Sequence, residues 1–206
     1  MTDIELTIPR STVSLFLPLM QKGVVIAART GCSIRQFICG QLGISDAYLD
    51  QRVQTLFLNA RPVDDVDAAV LEDGATLALS AAMPGLLGAT MRKGGHYAAF
   101  RMGISLSANT PPANAPGSGR VTLKLFNMVA REVGPGLLEK GVGVNGSDLN
   151  RIAGNHPEAM PQVACTRVDG KRPADPAKSV FLSLEGRPVH LTVRIAGPAP
   201  MSNETG

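Results

Sequence analysis

The sequence predicts an α+β fold in which short strands pack against a single crossing helix. Two apolar stretches of strand length are each bounded by a turn signal. Val53–Leu58 runs into Asn59-Ala60-Arg61-Pro62, and Thr76–Ala82 follows Glu72-Asp73-Gly74. Between the N-terminal strands and this pair, Ser33–Leu42 places apolar residues at helical spacing. The 22 glycines and 15 prolines also favour many turns over long helices.

The composition limits the classes of protein to which the chain can belong. The chain has 206 residues, of which 44% are apolar and 18% charged, enough for one domain or two small ones. The net charge of +3 is scattered, with adjacent basic pairs only at Arg92-Lys93 and Lys171-Arg172, so no nucleic-acid-binding stripe is expected. No apolar run reaches the ~18 residues of a membrane span, and Asp3 and Glu5 interrupt any signal-peptide pattern. We expect a cytoplasmic protein with neither nucleic-acid nor membrane partners.

The N-terminal region predicts three strands and the helix. Ile4, Leu6 and Ile8 alternate with polar residues, and Thr12–Leu19 and Val24–Ala28 are two further strand candidates. Ser33 and Gln36 have the spacing of a helix capping box. Phe37 and Ile38 fall on the apolar helix face and are expected in the core.

The order of elements from Val24 to Gly85 resembles the ubiquitin-like sulfur carriers of molybdopterin and thiamine biosynthesis. The matching residues are Leu58-Asn59-Ala60, Asp73-Gly74 and Met83-Pro84-Gly85. The resemblance implies a β-grasp (ubiquitin-like) domain over residues 1–85. An extra N-terminal strand and a chain that continues past Gly85 depart from the family pattern.

Residues 86–119 have two interpretations. Arg92-Lys93-Gly94-Gly95 precedes a stretch in which Phe100, Met102, Ile104 and Leu106 alternate with polar or small residues. As structure, Gly94-Gly95 is a hairpin turn that joins a strand at Gly88–Arg92 to this one. As function, it is similar to the basic-Gly-Gly end of a ubiquitin tail, which a peptidase would have to expose. The stretch 108–119 then has the composition of a Pro/Gly-rich linker.

The second half repeats the order of the first. Val121–Phe126 is a strand candidate, and a break at Gly134-Pro135-Gly136 leads to Gly141–Val144 and a short helix capped by Ser147. Gln162–Val168 then runs into a turn at Asp169-Gly170, and Glu185-Gly186 separates two last candidates, Val180–Leu184 and Val189–Ile195. These features predict a second, diverged β-grasp-like domain over residues 120–196, or alternatively an unrelated small α+β domain. Residues 197–206 are expected to form a flexible tail.

The sequence contains no pattern typical of a catalytic or metal site. Its three cysteines lack metal-ligand spacing, and its three histidines lie far from one another and from any nucleophile motif. Asp64, Asp65 and Asp67 could suggest a cation site, although adjacent acids in a turn are usually a solvated surface. We therefore expect no enzyme, no cofactor and no metal.

Three functions are compatible with this pattern. Tandem β-grasp domains with a glycine-ending tail resemble the two-domain ubiquitin-like proteins of vertebrate interferon responses and of bacterial phage-defence conjugation systems. That resemblance implies a protein modifier conjugated through Gly206, with an adenylating activating enzyme, a conjugating enzyme and possibly a metallopeptidase as partners. Gly94 and Gly95 are the alternative tail glycines. The other two functions are a sulfur-carrier-like protein and a non-covalent adaptor that binds partners through exposed sheet faces and edges.

Overall fold

The computed structural model of the chain describes residues 1–82, 85–97 and 117–196, and it is a mixed α+β structure. Its strands are β1 (Thr2–Pro9), β2 (Val24–Thr30), β3 (Cys32–Ser33), β4 (Thr55–Leu58), β5 (Arg61–Pro62), β6 (Val70–Leu71), β7 (Thr76–Ser80), β8 (Gly117–Phe126), β9 (Val142–Asn145), β10 (Ala164–Val168) and β11 (Pro188–Ala196). Its α-helices are α1 (Leu17–Lys22), α2 (Asp46–Gln51), α3 (Gly85–Met91), α4 (Asn127–Lys140), α5 (Gly146–Asn155) and α6 (Ala177–Ser183). A π-helix spans Gln36–Gln41, and 3₁₀-helices span Arg10–Phe16 and Met160–Gln162.

The chain divides into two compact units that do not follow one another in sequence. Unit 1 consists of Met1–Phe16 and Leu138–Gly206, and unit 2 consists of Leu17–Leu137. The division at residues 85 and 120 that the sequence suggests is sequential, whereas these units interleave. The difference arises because β8 pairs with β2 and β7, while β1 pairs with β10 and β11.

The sheet of unit 2 has the strand order β2-β8-β7-β4-β5 among the described residues. Its two middle strands, β7 and β8, are parallel, and each has an antiparallel neighbour, β4 beside β7 and β2 beside β8. The π-helix lies between β2 and β4 in the chain and contributes Phe37 and Ile38, both fully buried, to the core. The small pair β3–β6 is separate from this sheet.

The start of the predicted helix is confirmed in detail. The Ser33 backbone N–H donates to Gln36 Oε1 at 3.1 Å, and the Gln36 backbone N–H donates to Ser33 Oγ at 3.2 Å. This is the reciprocal capping box that the sequence predicts. The helix then widens, since the Leu42 N–H donates to the carbonyl of Phe37, five residues back.

Unit 1 repeats the pairing pattern of unit 2. Its described strands follow the order β10-β1-β11-β9, in which β1 and β11 are parallel and each has an antiparallel outer neighbour. Helix α5 lies between β9 and β10 in the chain, as the π-helix lies between β2 and β4. Leu6, Leu191 and Phe181 are fully buried in its core.

Several sequence predictions of secondary structure are wrong. The expected strand Thr12–Leu19 is a 3₁₀-helix followed by α1, because Val13, Phe16, Leu19 and Met20 bury one helical face. The expected break at Gly134-Pro135-Gly136 lies inside α4, where burial of Val129, Ala130 and Leu137 outweighs the intrinsic cost of a proline.

The arrangements expected near residue 90 and at the C-terminal end also need correction. Residues 88–91 belong to α3 rather than to a strand, so the hairpin expected between the two domains is wrong on that side. Its other side, from Phe100, lies outside the described residues, as does most of the linker at 108–119. The stretch Val180–Leu184 is largely helical, within α6. The last two strands, β10 and β11, are not paired with each other, because β1 lies between them.

Candidate functional site

The sheet of unit 2 has one face in the core and one face at the surface. On β8, Val121, Leu123 and Leu125 are fully buried, whereas the alternating residues are partly or fully exposed. The same alternation along β2, β4 and β7 defines a surface that we call the outer face. Its members are Val25, Ala27, Arg29, Phe57, Thr76, Ala78, Arg120, Thr122 and Lys124.

Strand register fixes where the apolar members of the outer face lie. Phe57 lies opposite Ala78, and Ala78 lies beside Lys124 in the parallel pair. In the next row Val25 lies opposite Thr122, which lies beside Thr76. Val25 is 38% exposed, so an apolar residue of β2 is open to solvent at this surface. The register therefore places Thr122 and Lys124 of β8 between Val25 on β2 and the Ala78–Phe57 pair on β7 and β4.

The outer face ends where the sheet becomes covered. Thr55 and Ser80 occupy outward positions on β4 and β7, but they are only 1% and 6% exposed. The Asn127 side-chain amide donates to Ser80 Oγ at 3.1 Å and so covers part of this end. The available surface is thus confined to the part of the sheet that contains Val25 and Phe57.

A second feature of unit 2 is a charge cluster centred on Arg35. Its guanidinium donates to Asp67 at 2.8 Å, to Asp46 at 2.9 Å and to Asp50 at 3.1 Å. These carboxylates raise the pKa of Arg35, and Arg35 lowers the pKa of Asp46. The arrangement fixes α2 and the loop around Asp67 to the start of the π-helix, so it acts as a structural clamp.

The opposite side of α2 carries a second polar network. The Tyr48 hydroxyl donates to Glu132 Oε2 at 2.6 Å, and the Arg52 guanidinium donates to the same carboxylate. Arg52, and then Tyr48, lower the pKa of Glu132, while burial and the neighbouring Glu132 raise that of Tyr48. A tyrosine with a raised pKa that is paired with an anion is a poor general base. We therefore interpret this network, like the Arg35 cluster, as structural.

The predicted tail glycines Gly94 and Gly95 lie in a turn that is attached to unit 2. The Lys93 backbone N–H donates to the Gln54 carbonyl at 2.7 Å, and its Nζ donates to the Leu49 carbonyl at 3.3 Å. The Gly94 N–H donates to Asp64 Oδ1 at 3.1 Å, and Gly94 has a φ of 60°. Gly206, the predicted conjugation residue, lies outside the described residues.

The remaining candidate residues are not assembled into a catalytic site within the described ranges. Cys32, Cys39 and Cys165 are free thiols, and burial followed by the neighbouring Asp46 raises the pKa of Cys39 to about 11, which disfavours a nucleophilic thiolate. His190 contacts Asp3 at 3.1 Å and His156 contacts Glu158 at 3.5 Å, each as an isolated pair. In the same ranges, no cluster of potential ligands could hold a metal ion.

Asp65 and Asp67, whose acidic turn could suggest a cation site, have other partners. Asp65 Oδ1 accepts the backbone N–H groups of Asp67 and Ala68, each at 2.9 Å. Asp67 binds Arg35. The acidic side chains are therefore explained by turn geometry and by the cluster.

Comparisons with known proteins find no match to a family model, to a curated protein or to a solved structure. Among the helices that the structure describes, none is long and apolar enough to cross a membrane.

Sequence reasoning did not identify the outer face. The signal was available in Val121–Leu125, where polar and apolar residues alternate strictly. The sequence does not reveal that β8 pairs with β2 and β7. This pairing brings residues nearly one hundred positions apart into one row.

Proposed function

We propose that the protein is a non-covalent interaction module, that unit 2 is a circularly permuted β-grasp domain, and that its outer face is the binding surface. The outer face is the observation that carries the proposal. A rigid sheet there presents Val25, Ala27, Phe57 and Ala78 at the surface, and the side chains on its other side form the core. Exposed apolar patches with a polar rim are typical of protein-binding surfaces.

The strand pairing supports the β-grasp assignment. A β-grasp sheet has its first and last strands parallel at the centre, with a hairpin partner and a helix that crosses the sheet. In unit 2 the parallel pair is β7 and β8, and the π-helix lies between β2 and β4 in the chain. The strand that would come first in an unpermuted domain is β8, which here follows β7 in sequence. Unit 1 has the same parallel central pair, which supports a tandem origin for the two units.

The surroundings of Gly94 and Gly95 favour the interaction module over conjugation through these internal glycines. In the sulfur-carrier pattern, the last strand leads directly into a free tail. Here β7 is followed by α3, and the turn after α3 is hydrogen-bonded to Gln54 and Asp64. Conjugation through Gly206, with its activating and conjugating enzymes, stays a separate prediction, and so does the sulfur-carrier function.

The proposal can be tested by comparing captured partners between variants. We would purify the tagged full chain from its own cells and quantify co-purifying proteins for the parent and for Val25→Asn. We expect a defined set of proteins to be lost with Val25→Asn, because a polar side chain at this exposed apolar position removes apolar contact area.

Leu182→Asn is the matched control, since Leu182 is a 61% exposed apolar residue on α6 of unit 1 and is not part of the outer face. The control should retain the set. Identical partner sets for the parent, Val25→Asn and the control would contradict the proposal. Adducts that disappear in Gly206→Asp would instead support conjugation.

A further inference from the structure

The outer face carries three cations, Arg29, Arg120 and Lys124. No carboxylate among the described residues forms a salt bridge with Arg29, Arg120 or Lys124. Elsewhere in unit 2, Arg35 binds three aspartates and Arg52 binds Glu132.

The positions of these cations follow from the register. Arg120 lies opposite Ala27 and Lys124 lies beside Ala78, so β8 carries the two cations between the exposed apolar residues of β2 and the Ala78–Phe57 pair. Two residues along a strand advance about 6.8 Å, so the Arg120 and Lys124 backbones are about 13 Å apart on β8. Asp73, the acid closest to this strand end, has its Oδ1 on the Arg120 backbone N–H at 2.7 Å.

We propose that the partner of the outer face is a protein segment in which carboxylate side chains flank apolar ones. This inference rests on the proposed function, since it specifies the chemistry of the ligand at the same surface. Carboxylates spaced along an extended or helical segment would pair with Arg29, Arg120 and Lys124, and its apolar side chains would cover Val25, Ala27 and Phe57. Charge complementarity of this kind sets partner choice and association rate.

A nucleic acid is the other polyanion to consider. Single-stranded nucleic acid is bound by a basic groove combined with several aromatic stacking surfaces. Besides Phe57, the outward side of the described strands offers only the partly exposed Phe126, beside Ser80 at the end of the sheet that Asn127 covers, so the centre of the face has no aromatic stacking surface. The surface therefore fits an acidic, apolar polypeptide better than it fits a phosphodiester chain.

The test uses the ¹⁵N-labelled full chain and three probes. These are a synthetic peptide that alternates Glu and Leu pairs, the same peptide with Gln in place of Glu, and a single-stranded oligo-dT. We expect the Glu-Leu peptide to shift the amide resonances of Val25, Phe57 and Thr122, with an affinity that falls as salt is added. The Gln-Leu peptide should bind at least about tenfold more weakly.

Charge-reversed variants complete the test. Arg120→Glu combined with Lys124→Glu should weaken binding of the Glu-Leu peptide by about tenfold or more, whereas Arg131→Glu on α4 should leave it unchanged. The absence of shifts at the outer face, equal affinity for the Gln-Leu peptide, or tighter binding of oligo-dT would each overturn the inference.

Capture of partners from cells distinguishes a failure of the acidic-partner inference from a failure of the proposed function. If partners are lost with Val25→Asn but retained in the doubly charge-reversed chain, the interaction module stands and the acidic-partner inference is wrong. If both variants retain every partner, the proposed function itself is wrong.

Discussion

Leu123 lies directly beside Leu77 in the parallel register that joins β8 to β7. Both side chains are fully buried, and Val24 lies opposite Leu123 on its other side. The centre of unit 2 is thus built from strands on either side of residues 98–116. This relationship makes β8 an integral part of the unit that starts at Leu17.

The first prediction concerns fragments. A fragment of residues 1–85 lacks β8, so the edges of β2 and β7 that pair with β8 would have no partner strand. We expect this fragment not to fold. A fragment of residues 17–137 contains the whole of unit 2 and should unfold cooperatively. Near-ultraviolet circular dichroism during urea titration measures the unfolding of both fragments. A cooperative transition for the fragment 1–85 would contradict the assignment of β8 to unit 2.

The second prediction concerns the helix core. Phe37 is fully buried, so Phe37→Ala should lower the free energy of unfolding by about 3–5 kcal/mol. Glu139→Ala, at an exposed position on α4, should change it by less than about 0.5 kcal/mol. Thermal or urea denaturation of the two variants beside the parent checks this, and equal stability of Phe37→Ala and the parent would show that the helix face is wrongly assigned.

The third prediction concerns the opposite effects on stability of alanine at two glycine positions. Gly94 has a left-handed backbone, so Gly94→Ala should cost about 1 kcal/mol although no atom would contact the new methyl group. Gly136 lies in α4 with open space around it, so Gly136→Ala should stabilise the protein by about 0.5–1 kcal/mol. Denaturant midpoints measure both effects, and a neutral Gly94→Ala would indicate a turn that is not held in this conformation.

The fourth prediction concerns acid stability. The folded state lowers the pKa of Glu132 through Arg52 and Tyr48, so this carboxylate stabilises the fold above its unfolded pKa of about 4.3. The contribution is lost as the pH falls through the lower folded-state pKa. Unfolding free energies measured between about pH 6 and pH 3 should therefore fall less steeply in Glu132→Gln than in the parent.

The control for this prediction is Glu139→Gln, on the same helix. The structure gives Glu139 no salt bridge within the described residues, so the acid dependence of this variant should match that of the parent. A parent-like slope in Glu132→Gln would mean that the network of Tyr48, Arg52 and Glu132 does not form.

Local features could be predicted from the sequence because nearby residues determine them. The capping box at Ser33 and Gln36, the turns at Asn59 and Asp169 and the strand from Val24 are confirmed, and both turn residues have a left-handed backbone. Each depends on hydrogen bonds or backbone preferences within a few residues.

Features set by long-range pairing could not be predicted. Nothing local to Thr2–Pro9 indicates that it lies between β10 and β11, and nothing local to β8 indicates that it joins β2 to β7. The secondary structure of Thr12–Leu19 is also ambiguous from sequence, because a short apolar run can form a strand or a helix and its packing partners decide between them. The outer face depends on the same pairing, and so it emerged only with the structure.

The most direct test of the central claim is site-specific photocrosslinking in the protein's own cells. A photoreactive amino acid would replace Val25 on the outer face in one full-length variant and Arg131 on α4 in another. The interaction module predicts discrete crosslinked species for position 25, reduced when Phe57→Ser is added, and none of these species for position 131. The absence of crosslinks at position 25, or the same species from both positions, would contradict a protein-binding role for the outer face.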